Sequence, residues 1–330
     1  MLSWAIIGSG DVVNRLVKKS FHIHKKSFVK YIFSKDLFQA KKISKKYKFE
    51  KVVSDINVII KDKSVNCVYI ATPPDSHFNY IKKFARAKKN ILCEKPLVIN
   101  LKHINLVRKI CKKNKVSLTT LFYRRHLKRF IYVKKILKAK KIGKIIFFRV
   151  TLTHSPDTHP AAPININKIK NKKIPWRFNK YKSGGGNFLD MGSHSIDLIS
   201  FLLGDIKNID PLKKNYMNYY NVEDTLISNI ELYNGIIGQG VWSSVVKKNI
   251  DSFEIFGTKG YIKFSMSFSD LVELLLKKKK LKVLVPFERP FHKNIIKDTI
   301  KKYLKNIKEK KYITEEAGLR AALLQISALK

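Results

Sequence analysis

The chain has only three cysteines in 330 residues: Cys67, Cys93 and Cys111. Three cysteines are too few for a disulfide framework, and they lack the spacing of metal ligands, so no metal site is predicted. A reducing cytoplasm is therefore the predicted compartment. No apolar run approaches the ~20 residues of a membrane-spanning helix. A strand pattern that begins at Leu2 also leaves no visible signal peptide.

Acidic residues are scarce as well, since 24 Asp and Glu stand against 68 Lys and Arg, for a net charge of +44. Such an excess is typical of proteins that bind nucleic acid or anionic membranes. Here the lysines are scattered along the chain, and no helix-turn-helix, zinc-finger or aromatic RNA-binding signature accompanies them. We interpret the charge as a compositional bias of solvated surfaces. No specific nucleic-acid or membrane partner is predicted, although polyanions should adhere at low salt.

The first third of the chain alternates apolar strand segments with helical periodicity. Strands are predicted at 2–7, 28–33, 51–53, 66–71, 90–93 and 116–122, with helices between them, the first over 11–21. This alternation predicts an α/β fold with a doubly wound parallel sheet. After a helix at 125–140 and a long segment at 154–179, later strands joined by turn signals such as Asn234-Gly235 predict an antiparallel sheet with helices on one face. At about 150 residues per domain, we predict two domains, 1–122 and 123–330.

A glycine-rich turn, Gly8-Ser9-Gly10, joins the first strand to the first helix. In that setting glycines let backbone amides approach a dinucleotide pyrophosphate, and the helix N-terminus adds partial positive charge. Val13 stands where the fingerprint has a third glycine. An ordinary tight turn therefore explains these residues about as well when they are taken alone.

The end of the second strand bears on the choice of dinucleotide. An acidic residue there usually binds the ribose hydroxyls of NAD, but this strand ends at Ser34 and Lys35, which suit the 2′-phosphate of NADP. Asp36 follows closely and keeps NAD open. The alternative is that Ser34 and Asp36 merely start the next helix. The sequence favours NADP(H) as the cofactor.

Lys95 follows a buried-looking strand and precedes Pro96. The proline restricts the backbone of Lys95 away from helix and can hold a cis bond that aims the side chain. A lysine at the carboxyl end of such a strand can hydrogen-bond a reacting hydroxyl or carbonyl. In a chain this rich in lysine, the position after a strand and a glutamate is what distinguishes it.

Asp190 and His194 follow three consecutive glycines at the predicted opening of a helix that runs to Leu203. Residues four apart share one helix face, so the carboxylate can set the tautomer and basicity of the imidazole. That arrangement suits a proton-transferring histidine. A satisfied core histidine is the alternative, although three glycines indicate close backbone approach. Asp197 lies on the same face, as a partner or a plain helix residue.

Together these segments resemble the glucose–fructose oxidoreductase/inositol dehydrogenase (Gfo/Idh/MocA) family over nearly the whole chain, in the right order. The matching segments are Gly8-Ser9-Gly10, Ala71-Thr72-Pro73-Pro74 with His77, Glu94-Lys95-Pro96, Phe122-Tyr123-Arg124-Arg125, Trp176-Arg177, Gly184-Gly185-Gly186 with Asp190 and His194, Val222-Glu223-Asp224-Thr225, and Phe256-Gly257-Thr258-Lys259-Gly260. The resemblance implies a Rossmann domain that binds NAD(P), and a C-terminal α+β domain whose large, mostly antiparallel open sheet mediates homodimers or homotetramers. It also implies sugars, polyols, anhydrosugars or dihydrodiols as substrates.

The resemblance assigns a role to each matching residue. Lys95 polarises the reacting oxygen, His194 donates or accepts the proton, and Asp190 binds substrate and supports the histidine. The predicted cofactor-binding residues are Gly8, Ser9, Gly10, Asp11, Val12, Ser34, Lys35, Ala71, Thr72, Pro73, His77, Glu94 and Lys95. The predicted substrate-binding residues are Tyr123, Arg124, Trp176, Arg177, Asp190 and His194. A non-catalytic NAD(P)-binding regulator is the alternative function, and the intact Lys95, Asp190 and His194 set argues against it.

Overall fold

The structure is a computed structural model that describes residues 1–17, 20–156, 175–267, 269–276 and 279–330. These residues form two compact units. The first comprises Met1–Tyr123 with Glu288–Ala322, and the second comprises Arg124–Phe287 with Leu323–Lys330. The predicted division into 1–122 and 123–330 is continuous in sequence, whereas the first unit also includes a late segment of the chain. Within the described ranges, no helix combines the length and apolarity needed to cross a bilayer.

The strands and helices alternate in the first unit and are mixed in the second. The strands are β1 Leu2–Ile7, β2 Ser27–Phe33, β3 Lys51–Val53, β4 Cys67–Ile70, β5 Asn90–Cys93, β6 Leu118–Thr120, β7 Ile145–Thr153, β8 Ile206–Lys214, β9 Thr225–Leu232, β10 Ile237–Ser243, β11 Ile250–Gly257, β12 Gly260–Phe264, β13 Leu271–Leu276 and β14 Lys279–Leu284. The α-helices of the described residues are α1 Leu37–Tyr47, α2 Ile56–Lys61, α3 His77–Arg86, α4 Leu101–Asn114, α5 Lys128–Lys138, α6 Lys180–Ser183, α7 Asn187–Asp190, α8 Gly192–Leu202, α9 Lys293–Lys308 and α10 Glu316–Ala328.

The sheet of the first unit has the strand order β3-β2-β1-β4-β5-β6, and every pair is parallel. Its central strands are fully buried, as expected of a sheet covered on both faces. The strand order reverses between β1 and β4. Ligands of open α/β sheets bind at such a switch point, beyond the carboxyl ends of the strands. The predicted doubly wound α/β fold is confirmed.

The helix predicted over 11–21 takes a different form. Asp11 and Val12 are α-helical, Val13–Val17 form a π-helical turn, and a separate 3₁₀ turn covers Ser20–His22. The wider π turn changes the backbone hydrogen-bond pattern, and the hydroxyl of Tyr47 donates to the carbonyl oxygen of Asn14 at 2.8 Å. Val13, in the position of the third fingerprint glycine, is fully buried in the core.

A late helix completes the core of the first unit. Tyr303 of α9 stacks on Trp4 of β1 with ring centroids 6.0 Å apart, and its hydroxyl donates to the carbonyl oxygen of Ile91 at 2.5 Å. Thr314 forms a parallel bridge with Leu118 of β6. The segment after α9 therefore extends the edge of the first sheet.

The sheet of the second unit has the order β14-β13-β12-β11-β7-β10-β9-β8. Only the β7–β10 pair is parallel among these described pairs, which confirms a large, mostly antiparallel sheet. The hairpin predicted at Asn234-Gly235 joins β9 to β10, with Gly235 at φ +81°. The edge strand β8 was not predicted. It contains Pro211, which suits an edge position.

The single helix predicted to carry Asp190 and His194 is divided. Helix α7 ends at Asp190, and α8 begins at Gly192 after a turn at Met191. The backbone amide of His194 donates to the carbonyl oxygen of Met191 at 3.3 Å, while the Ser193 hydroxyl donates to the carbonyl oxygen of Asp190 at 2.7 Å. The Ser193 hydroxyl thus donates to the Asp190 carbonyl, which in a continuous helix would accept the backbone N–H of His194.

Candidate active site and cofactor cradle

The glycine turn lies at the switch point of the first sheet. Gly8 has φ +111°, and a Cβ atom there would lie 2.7 Å from the carbonyl oxygen of Ala71. A glycine is therefore required where the ends of β1 and β4 meet. A Cβ at Gly10 would meet nothing within 4 Å, so the backbone of this residue faces open space. An open backbone beside the start of a helix fits a dinucleotide pyrophosphate.

The loop after β2 is organised around one hydroxyl. The Oγ of Ser34 lies 2.7 Å from the Oγ of Ser9 and accepts the backbone N–H of Asp36 at 3.0 Å. Asp36 caps α1, because its Oδ1 accepts the backbone N–H of Gln39 at 2.9 Å. Lys35 is exposed. The structure therefore brings Ser9 and Ser34 together and gives Asp36 the helix-starting role that the sequence left open.

His77 joins the loops that follow β4 and β5. Its ring is fully buried, with Nδ1 2.9 Å from the carbonyl oxygen of Pro96 and Nε2 2.9 Å from that of Thr72. Burial lowers the pKa of His77 despite these two carbonyl contacts. Both ring nitrogens thus contact protein carbonyls, and direct contact of His77 with the cofactor remains a prediction.

Glu94 and Lys95 follow β5 beside a buried polar cluster. The hydroxyl of Tyr69 donates to Oε1 of Glu94 at 2.6 Å, and Nδ1 of His292 lies 3.7 Å from the same oxygen. Burial, with the Glu94 carboxylate beside it, raises the pKa of Tyr69 well above its usual value. Lys95 is partly exposed, and its peptide bond to Pro96 is cis. The ring of Tyr123 packs against His292 at 5.0 Å.

The sequence does not predict that Tyr69 and His292 lie beside Glu94. Tyr69 lies within an apolar strand segment, and His292 lies far along the chain from Glu94. No local pattern connects them, because the late segment joins the first unit only through the fold.

In the second unit, Asp190 is held by a neighbouring arginine. Nε of Arg177 lies 3.2 Å from Oδ2 of Asp190, and the guanidinium of Arg177 lies 4.4 Å from the ring of Trp176. The carboxylate is partly exposed, whereas His194 is mostly buried. The structure thus brings together three predicted residues, Trp176, Arg177 and Asp190. Pairing of Asp190 with His194 remains a prediction, and most of the predicted 154–179 segment, residues 157–174, lies outside the described residues.

Arg124 and Arg125 anchor the second unit internally. Arg124 is buried and donates to the carbonyl oxygen of Met266 at 3.3 Å and to the hydroxyl of Ser267 at 2.7 Å. Arg125 binds both carboxylate oxygens of the buried Asp197, at 2.8 and 2.9 Å from Nε. Asp197 is therefore tied to Arg125, and a substrate contact of Arg124 remains a prediction. Across the described part of the chain, no group of His, Cys, Asp and Glu is arranged to hold a metal.

Two family models match the chain. One describes an oxidoreductase family with an NAD-binding Rossmann fold and covers residues 2–122, and the other describes a Gfo/Idh/MocA C-terminal domain and covers residues 130–263. The chain belongs to the Gfo/Idh/MocA oxidoreductase family. The predicted family and enzyme class are thereby confirmed, and the first unit contains the family's NAD-binding domain.

Individual members of the family are distant in sequence. Oxidoreductase P35 of Formosa agariphila is 26% identical, over 82% of this chain and 81% of that protein. Myo-inositol 2-dehydrogenase of Thermotoga maritima is 25% identical, over 88% of this chain and 84% of that protein. A solved structure of levoglucosan dehydrogenase with NADH and levoglucosan shares the fold, with a TM-score of 0.83, 22% identity, and coverage of 99% of this chain and 96% of that one.

Proposed function

We propose that the protein transfers a hydride between NADP(H) and a secondary alcohol or carbonyl carbon of a sugar, polyol, anhydrosugar or dihydrodiol. The observation that carries this proposal is a family match over both domains in a chain that has Lys95, Asp190 and His194 in place. Relatives named for inositol and levoglucosan support the substrate class.

Each of the three residues has a distinct task in this proposal. Lys95, at the carboxyl end of β5, donates a hydrogen bond to the reacting oxygen. His194 takes the hydroxyl proton during oxidation and returns it during reduction. Asp190, which pairs with Arg177, accepts a hydrogen bond from a substrate hydroxyl and supports His194. When bound, the nicotinamide supplies or receives the hydride.

The preference for NADP over NAD rests on the loop after β2. A serine hydroxyl has one hydrogen to donate and two lone pairs. In this proposal the Ser34 oxygen accepts both the amide of Asp36 and, at 2.7 Å, the hydroxyl of Ser9, which leaves the Ser34 hydrogen for a 2′-phosphate oxygen, with the exposed Lys35 supplying charge. Asp36 already caps α1, which reduces its capacity to bind ribose hydroxyls.

Nucleotide titration tests this preference. Purified protein is titrated with NADPH and NADH by nucleotide fluorescence at physiological salt, with excess pyrophosphate as the control for nonspecific anion binding. We expect tighter binding of NADPH, and a reversed preference in Ser34→Asp. Lys63→Glu, at an exposed lysine elsewhere, should leave the preference unchanged. A wild-type preference for NADH would overturn the argument from Ser34 and Lys35.

Turnover tests the chemistry. Across a panel of polyols, aldoses and anhydrosugars, we expect Lys95→Met and His194→Asn each to lower kcat about 100-fold or more, since general acid–base groups contribute about 10² to 10⁴. NADPH binding should persist in His194→Asn, because His194 is not among the predicted cofactor-binding residues. Lys102→Met, at an exposed lysine of α4, is the matched control. Cofactor binding without turnover in the wild type would favour the regulator, and unchanged rates in both variants would exclude these roles.

We propose further that the open face of the second sheet binds a second copy of the chain. Phe147, Ile227 and Ile237 lie on this face and are 40%, 48% and 59% exposed. Arg149 pairs with Glu254 on the same face, so the surface carries both charges and can complement itself. Light scattering should give a dimer or tetramer that Ile237→Glu dissociates and Leu106→Glu, at an exposed leucine of α4 in the first unit, does not. A monomeric wild type would exclude this assembly.

A further inference from the structure

One carboxylate is bonded to the start of the segment that carries Asp190 and His194. Oε1 and Oε2 of Glu223 accept the backbone N–H of Gly186 at 2.9 and 2.8 Å, and Oε1 also accepts the N–H of Phe188 at 3.2 Å. The first amides of a helix have no partner within the helix. Glu223, from the approach to β9, supplies that partner to α7.

The approach of Glu223 to the glycine loop is close. A Cβ atom at Gly186 would lie 1.8 Å from the carbonyl oxygen of Glu223, so no larger residue fits there. Burial raises the pKa of Glu223, while its bonds to the amides of Gly186 and Phe188 favour the ionised form. The carboxylate and the glycine loop thus fit each other in shape as well as in hydrogen bonding.

A chain of hydrogen bonds connects this contact to Asp190. The carbonyl oxygen of Gly186 accepts the backbone N–H of Asp190 at 3.2 Å, and the carbonyl oxygen of Asp190 accepts the Ser193 hydroxyl at 2.7 Å. Ser193 directly precedes His194. Gly186, whose amide binds Glu223, is therefore itself hydrogen-bonded to Asp190 through its carbonyl oxygen.

The last helix and the residue that follows it also contact this segment. Nε2 of the buried Gln325 donates to the carbonyl oxygen of Phe188 at 2.5 Å. A Cβ at Gly185 would lie 2.5 Å from Cδ1 of Leu329. Beyond α7, the indole N–H of Trp242 donates to the hydroxyl of Ser195 at 3.2 Å. Removal of Glu223 would thus free the N-terminal end of a segment whose other contacts remain.

We propose that Glu223 is a positioning residue that sets the place of Asp190 and His194 through the amides of Gly186 and Phe188. This role rests on the proposed function for its effect on rate. It gives Glu223 no contact with substrate, so its loss should act on kcat and leave cofactor binding unchanged. A displacement of about 1 Å in a reacting group can cost about 10²-fold in rate.

Two substitutions of Glu223 remove its contacts to different degrees. Glu309→Gln, at an exposed glutamate of the first unit, is the control. In Glu223→Gln the side chain keeps its size and one accepting oxygen, whereas Glu223→Ala keeps neither. We expect kcat to fall about 10-fold or more in Glu223→Ala and less in Glu223→Gln. A tenfold fall in kcat corresponds to an increase of ~1.4 kcal/mol in the activation free energy. The Kd for NADPH should stay within about twofold of the wild type, since the expected loss concerns only the chemical step.

Amide hydrogen exchange gives a readout that needs no turnover. Residues 184–195 should exchange faster in Glu223→Ala than in the wild type, with residues 90–98 of the first unit unchanged. If Glu223→Ala fails to fold, the same comparison with Glu223→Gln decides. Wild-type exchange rates and wild-type kcat in the folded variants would overturn the proposal. An inactive wild type would refute the proposed function, while the exchange rates would still decide whether Glu223 holds the segment.

Discussion

Replacement of His77 by alanine should weaken both stability and turnover. The imidazole is fully buried and lies 2.9 Å from each of two carbonyl oxygens, those of Thr72 and Pro96. A neutral imidazole donates one N–H, so alanine leaves one carbonyl without that donor, at about 1–3 kcal/mol, and it opens a cavity. We expect the free energy of unfolding to fall by roughly 2–4 kcal/mol. Urea titration at pH 8 measures it.

The rate should fall because Pro96 directly follows Lys95. A loop that loses its bond to His77 holds the ammonium group less accurately, and we expect kcat to drop about 10- to 100-fold. His77→Asn keeps one donor for one of the two carbonyl oxygens and should recover about 1 kcal/mol of stability. His24→Ala, at a partly exposed histidine with a local turn contact, is the control.

The effect of His77 on stability should also depend on pH. Because burial lowers the pKa of His77, the folded state favours the neutral ring. Its contribution is fully present above the unfolded pKa of about 6.5 and is lost as the pH falls below that value toward the lowered folded pKa. The difference between wild type and His77→Ala should therefore narrow below about pH 6.5. A loss under about 0.5 kcal/mol at pH 8, or a difference that grows with acid, would refute this reasoning.

Two further substitutions test ion pairs of the two units. Arg125→Met removes the guanidinium from the Asp197 carboxylate, which is 1% exposed, and should cost about 3–5 kcal/mol in urea titration. The double variant with Asp197→Leu should recover at least half of that loss, and no recovery would contradict the pairing. Asp62 has its pKa held well below the usual range, first by the hydrogen bond from Lys30, so it stabilises the fold above about pH 4 and less as the pH falls. Thermal unfolding of Asp62→Asn should show a loss of about 0.5–1 kcal/mol at pH 7 that shrinks in acid, and a pH-independent loss would argue against it.

Several elements of the first sheet were predictable because their signals are local. The strands Lys51–Val53 and Asn90–Cys93 have the bounds expected from the sequence, since turn residues or helices bound each apolar segment. Ile206–Lys214 lacked such a signal. As an edge strand it has mostly exposed side chains, and polar residues and a proline replace the apolar alternation.

The chemistry of the site was predictable only residue by residue. Asp190, His194 and Lys95 were identified from motifs, but the ion pair of Asp190 with Arg177 joins residues separated by a glycine loop. The break at Met191 depends on a serine side chain taking a carbonyl bond. Such contacts depend on how separate segments pack, which periodicity does not record.

The packing of Tyr303 against Trp4 has a consequence for biosynthesis. The ribosome synthesises the six strands of the first sheet well before residues 293–308. One apolar surface of the nascent sheet therefore stays uncovered while the second unit is translated. A polypeptide cut at residue 122 would keep that surface permanently and should aggregate. Supplying residues 288–322 through a short linker after residue 123 should restore a monomeric, cooperatively unfolding nucleotide-binding unit.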